Sequence, residues 1–212
     1  MSAGKWYHLA VVRNGNTLTC YKDGSSLATA DVTGVTANAM PTGIAIAAAE
    51  PSGSTSGNPN GYYSDVRIVK GTAVYTADFT PPTAPLTAIT GTSLLLKGTN
   101  AGIIDKSQSV KGITLYGAAQ SSTTQTKYLT SSMYFNPSAT SATNYIVAKD
   151  CSADFGTGDF TVECWIWPES VSTSYATSNF ATILDLNVSV NSGTAWFALH
   201  QNNAGLQFAS NS

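Results

Sequence analysis

GKWYHLAVVRNGNTLTCYKDG, residues 4–24, is written as a β-hairpin and the start of a third strand. Trp6–Arg13 and Thr17–Lys22 are rich in aromatic and β-branched residues, which suit a pleated, half-buried surface. Asn14-Gly15 between them is the strongest short hairpin signal, because both residues tolerate the positive φ of a two-residue turn. Asp23-Gly24 repeats the signal before Ser26–Asp31. Three consecutive antiparallel strands are therefore expected at the front of the chain.

The same texture continues along the sequence. Further strands are expected over residues 42–48, 62–70, 93–97, 112–116, 132–135, 145–148, 160–167, 181–188, 195–200 and 206–209, each short and bounded by Gly, Asn, Asp, Pro or Ser. In FTVECWIW the alternation is direct: Phe160, Val162, Cys164 and Ile166 face one way, and Thr161, Glu163, Trp165 and Trp167 the other. No window carries a helical period, so any helix is expected to be a turn or two. Short, regularly spaced strands of this kind predict an all-β sandwich of two antiparallel sheets. Residues 50–61, EPSGSTSGNPNG, read as a long polar loop, and residues 79–91, FTPPTAPLTAITG, as a stiff proline-rich connector.

Composition narrows the function. Only 10% of the 212 residues are charged, so solubility rests on Ser, Thr, Gly, Ala and Asn, a texture common in extracellular and virion β proteins. The ten basic residues are scattered singly, which leaves no stripe to neutralise phosphates and argues against nucleic acid. No apolar run reaches the length of a membrane span, and MSAGKWYH lacks the charged and apolar regions of a signal peptide, so no membrane insertion is expected. Cys20, Cys151 and Cys164 are odd in number, follow no CxxC spacing, and are expected to be free thiols.

WYHLAVVRNGNTLTCYKDG resembles the W-x-H-h-A-h-x-R-x-G hairpin, with its closing Y-x-D-G, of laminin G-like, concanavalin A-like jelly rolls, where h is apolar. GYYSDVRIVKGTAVYTADFTPP resembles the strand that closes such a domain, and SMYFNPSATSATNYIVAKDCSADFGTGDFTVECWIWP its opening half. With the FTPPTAPLTA stretch, the chain is also similar to repeats of bacteriophage tail-fibre and appendage proteins. The order of the halves departs from the family: residues 1–80 resemble its C-terminal half and residues 92–212 its N-terminal half, with 81–91 between them. One sandwich domain over 1–212, circularly permuted, is the favoured reading; a window across two tandem repeats is the alternative.

The resemblance implies three chemistries. Glycoside hydrolases on this sandwich use two carboxylates close together, but Glu50, Glu163 and Glu169 form no E-x-D-x-x-E arrangement, and Glu163 is expected to be a solvated residue on an outward face. His8 and His200 lack a nucleophile context, and His8 falls where the family pattern places a packing histidine. No enzyme activity is expected. Calcium is the one candidate cofactor, because family members bind it at the rim; Asn58, Asn60 and Asp65 form one candidate cluster, and Asp150, Asp154 and Asp159 another, against the plainer reading that these residues make turns. Glycans are the candidate ligands: Tyr62 and Tyr63 are expected to reach solvent beside the polar loop, with Asn60, Trp167 and Trp196 around them, whereas Trp6 and Trp165 match buried family positions. The resulting expectation is a non-enzymatic structural or adhesive module of a virion or surface appendage. Its expected partners are copies of itself, other appendage proteins and cell-surface glycans; a glucanase-like hydrolase or a purely structural capsid or fibre component are the alternatives.

Overall fold

A computed structural model of the protein describes residues 1–39, 43–48, 60–108, 112–136, 144–149, 154–170, 181–185, 188–190, 198–202 and 205–209. In chain order the strands are β1 Tyr7–Asn14, β2 Thr17–Lys22, β3 Ser25–Asp31, β4 Ala37–Ala39, β5 Ile44–Ile46, β6 Gly61–Lys70, β7 Thr92–Thr99, β8 Gly102–Asp105 and β9 Gly112–Tyr116. They continue as β10 Gln120–Ser122, β11 Ser132–Phe135, β12 Tyr145–Lys149, β13 Phe160–Pro168, β14 Ala181–Asp185, β15 Val188–Val190, β16 Ala198–Asn202 and β17 Gly205–Ala209. Every run expected from the sequence carries a strand. Four were not foreseen: β4, β8 and β10 are short, and no alternation marks them, while β15 is a separate strand that meets the expected run 181–188 only at Val188. Among the described residues there is no helix.

The larger sheet runs β10-β11-β6-β13-β1-β2-β3, with β7 beside the second half of β6 and β8 outside β7. The smaller runs β17-β16-β14-β5-β12-β9, and β15 pairs with β4 apart from both. All these pairings are antiparallel. Strands from the two ends of the chain interleave in each sheet. β13 lies between β6 and β1, with Tyr7 opposite Ile166 and His8 opposite Trp165. β5 lies between β14 and β12.

The inward faces follow the alternation read from the sequence. Leu9 and Val11 of β1, Val66 and Ile68 of β6, and Phe160, Val162, Cys164 and Ile166 of β13 pack in one apolar core with Ile44, Ile46, Ile146, Ala148 and Ile183 of the smaller sheet. One irregularity breaks the parity of β6. Arg67 stands opposite Glu163 and Ser64 opposite Trp165, so Asp65 and Val66 together face the single residue Cys164. This is a β-bulge. Asp65 takes φ 53° there, a left-handed conformation uncommon for a residue with a side chain.

The outward face of the larger sheet is roofed. Residues 71–91 cross it, with the Tyr75 and Phe79 rings stacked at 3.6 Å and packed on Ala10, Val12 and Tyr21. Backbone bonds fasten the roof: Phe79 N donates to Gly24 O at 2.9 Å, and Val74 N donates to Thr161 Oγ1 at 2.8 Å. Gly24 admits no substitute, because a Cβ there would lie 1.8 Å from the Phe79 carbonyl oxygen. The neighbouring stretch before β11 adds Tyr128, whose hydroxyl donates to Pro82 O and whose ring meets Trp165 edge-on at 5.7 Å.

Candidate functional site

Beneath the roof sits a charged cluster centred on Glu163. The side chain is buried, which corrects its expected place as a solvated residue; the reason is that residues 71–91 cover the sheet face that would otherwise meet water. Glu163 Oε1 accepts from Arg67 Nε at 2.8 Å and Nη2 at 2.5 Å, and Oε2 accepts from Tyr75 OH at 2.7 Å and His8 Nε2 at 3.0 Å. Burial pushes this carboxyl up, but hydrogen bonding to His8, the Arg67 charge and the Tyr75 bond outweigh it and hold the group below its usual range. All of its acceptor capacity is turned inward, so the cluster ties β1, β6, β13 and the roof together and presents nothing to a substrate.

Past the edge of the roof the same outward face carries a row of aromatic rings. Trp167 on β13 stands opposite Tyr62 on β6, and Tyr62 opposite Tyr134 on β11. Trp6, one residue before β1, meets the Trp167 ring edge-on at 5.9 Å, and Tyr62 stacks on Tyr134 at 4.6 Å. Trp6, Trp167 and Tyr134 are half-buried, so their rings remain in reach of solvent. Tyr62 is 4% exposed. Exposed Glu169 closes the row, its Oε2 accepting from Tyr134 OH at 3.2 Å. Burial first, then hydrogen bonding and charge from Glu169, push the Tyr62 phenol to about 12.

A small cleft adjoins the row. It is shallow and partly open, with room for about one water molecule, and is lined by Asn60, Gly61, Tyr63, Ile166, Trp167, Pro168 and Ile183. Tyr63 reaches it from the core face, where its ring packs edge-on against Phe135 at 5.0 Å. Asn60 Oδ1 and Tyr63 OH are both buried without a hydrogen-bond partner among the described residues. Burial also holds the Tyr63 phenol well above its ordinary value.

The expected glycan residues are thus divided. Asn60, Tyr62, Tyr63 and Trp167 gather at one end of the larger sheet, while Trp196 lies outside the described residues. The expectation that Tyr62 and Tyr63 reach solvent is corrected: at the start of β6 Tyr63 points into the core and Tyr62 lies under its stacked neighbour. Trp6 and Tyr134 were missed. The alternation in SMYF, with Met133 and Phe135 inward, held the signal for Tyr134, and the family resemblance had set Trp6 aside as buried.

The candidate calcium clusters fare differently. Asp65 is fully buried at the bulge, 2.5 Å from Lys97 Nζ and bonded to Ser64 Oγ, which corrects its placement as a rim ligand. Asp159 Oδ1 accepts from Gly15 N at 2.8 Å and so holds the first hairpin turn, and Asp154 is exposed; Asn58 and Asp150 lie outside the described residues. Among the described residues no three His, Cys, Asp or Glu side chains gather into a metal site. Cys20 and Cys164 are free thiols, Cys20 raised to about 11 by burial and Cys164 raised further, while Cys151 lies outside the described residues.

Residues 1–75 match the laminin G-like model of the Concanavalin A-like lectin/glucanases superfamily. No curated protein and no solved structure matches the chain. The matched segment supplies β1 to β6, and all of these but β4 are completed by later strands into two antiparallel sheets. The fold is therefore an all-β sandwich of two antiparallel sheets, and over residues 1–75 the chain is similar to laminin G-like domains of the concanavalin A-like superfamily.

Proposed function

We propose that this sandwich is a non-enzymatic adhesive module that grips glycans across its aromatic row, in a structural protein of a virion or surface appendage. The observation that carries the reading is the alignment of Trp6, just before β1, with Trp167, Tyr62 and Tyr134 of β13, β6 and β11 on the outward face. Four adjacent strands place such rings over about 14 Å. Sugars offer apolar C–H faces to stack on rings and hydroxyls to bond a flanking carboxylate, here Glu169. Partly exposed aromatic side chains of this kind are the usual anchors of binding surfaces.

A hydrolase reading is disfavoured by Glu163, whose two oxygens are occupied by Arg67, His8 and Tyr75 beneath the roof. The sparse charge of the chain supports a durable external building block, with copies of itself or other appendage proteins as neighbours. Binding on a glycan array, followed by calorimetry on the best ligand, tests the proposal. Trp167→Ala is expected to weaken that ligand about thirtyfold, the effect of truncating a central aromatic anchor. No glycan bound, or a variant that binds as the parent does, would leave a purely structural role.

A further inference from the structure

Trp165 and Trp167 stand two residues apart on the outward face of β13, each in an aromatic corner. Trp165 is met edge-on by Tyr128, with centroids 5.7 Å apart and planes at 87°. Lys127 lays its ammonium on both rings, 4.0 Å from the Trp165 centroid and 5.0 Å from that of Tyr128. At such distances the ring quadrupole attracts a cation, most strongly for Trp. Burial pushes the Lys127 amine down, and the Asp23 charge works against that shift. An aromatic corner with a carboxylate nearby is thus a cation seat that this fold already uses. Trp167 repeats the corner: Trp6 meets it edge-on at 5.9 Å and 62°, and exposed Glu169 follows two residues later, accepting from Tyr134 OH across β6. Among the described residues no lysine or arginine lies over Trp6 or Trp167, both of them half-buried.

We infer that the Trp6–Trp167 corner seats the ammonium of an unacetylated amino sugar, with Glu169 as its counter-charge. The inference rests on the glycan-binding reading and adds the sugar class to it. A hexosamine carries its positive amine directly on a ring carbon, so a pyranose lying along the row offers C–H faces to the rings and its charge to Trp167 and Glu169 together. Acetylation removes that charge while keeping the pyranose, and a plain hydroxyl never has it; both forgo the cation–π and carboxylate attractions. An acidic sugar would meet Glu169 as a like charge. A lysine side chain brings the same ammonium, but only a flexible methylene stem for Tyr134 farther along the row, so the row favours the sugar.

Calorimetry with the full chain, at low salt and about pH 6 so that the amine is protonated, compares β-linked oligomers of glucosamine, N-acetylglucosamine and glucose of the same linkage and length. The glucosamine series is expected to bind about tenfold tighter than the other two, the combined effect of one cation–π contact and one exposed ion pair. Glu169→Gln, which keeps an acceptor for Tyr134 OH, is expected to cut that advantage to about threefold or less. Asp31→Asn makes the same change in net charge at the far edge of the larger sheet and is expected to leave the advantage intact. Equal affinity for the three series overturns the ammonium seat and leaves the aromatic row standing. So does an advantage that survives Glu169→Gln, or one that Asp31→Asn reduces as much, since the oligomer then answers only to the protein's net charge of −2. Lysine oligomers that bind as tightly as glucosamine overturn the sugar class. Binding of no series overturns the seat and the glycan-binding reading together.

Discussion

Glu163 carries a charge where water cannot reach it, and four donor groups from three partners make that tolerable. Breaking a buried pair by neutralising one member strands the other, at about 3–5 kcal/mol. Glu163→Gln is expected to cost that much in urea unfolding, because Arg67, 5% exposed, loses its counter-charge. The acid response follows from the same bonds. The folded carboxyl titrates below its ordinary value of 4.5, so its contribution is fully present above that value and is lost as pH falls through the lower, folded value. Unfolding free energies measured from about pH 7 downward should therefore drop on the acid side in the parent and drop less in Glu163→Gln. A parent curve as flat as the variant's would contradict this account. The sequence could not show this role. FTVECWIW gives the side on which Glu163 lies, but only the roof decides whether that side is wet.

The stretch from residue 71 to 91 has no regular secondary structure, yet it behaves as a third layer. Its proline content was legible as stiffness; its burial was not, because no period marks Tyr75 and Phe79 as inward-facing. Their rings stack at 3.6 Å over β1 and β2. Single substitutions of either ring by alanine are expected to destabilise the fold by about 2 kcal/mol, below the 3–5 of a fully buried aromatic, since both are half-buried. A double-mutant cycle should return a coupling of about 0.5–1.5 kcal/mol. A coupling near zero would mean that each ring serves the sheet independently. The strands themselves were far more legible. β1, β2 and β13 follow from alternation and the Asn-Gly turn, because one face of each meets a continuous core. The bulge in β6 was hidden: alternation predicts that Tyr63 and Asp65 share a face, and the extra residue puts Val66 there instead. For the same reason the aromatic row appeared in the sequence only in pieces. Trp6, Trp167, Tyr62 and Tyr134 are far apart along the chain and meet only through strand register.

Across the molecule, the two ends of the chain are interdigitated rather than stacked. β13 from the later part fills the gap between β6 and β1, and β5 from the earlier part fills the gap between β14 and β12. Removing residues 92–212 therefore leaves β6 and β5 without their neighbours, and removing residues 1–91 leaves β13 without either neighbour and parts β14 from β12. Polypeptides comprising residues 1–91 or 92–212 are each expected to lack dispersed amide resonances and a cooperative melt, and mixing the two should restore both. Independent folding of either piece would show that its strands find other pairings. Where the termini of such a sandwich fall is a separate matter from how its strands pair, which is how a hairpin at the front of the chain can lie against a strand from its far end.

The position of β13 has one more result. From Thr161 to Trp165 it has a strand on each side, the core beneath it and the roof above, with no residue in that span more than 6% exposed. Its amide protons cannot trade with deuterium through breathing at an edge or a frayed end. They are released only when the entire assembly comes apart, so the slowest exchange in the protein is also a clock for its global opening.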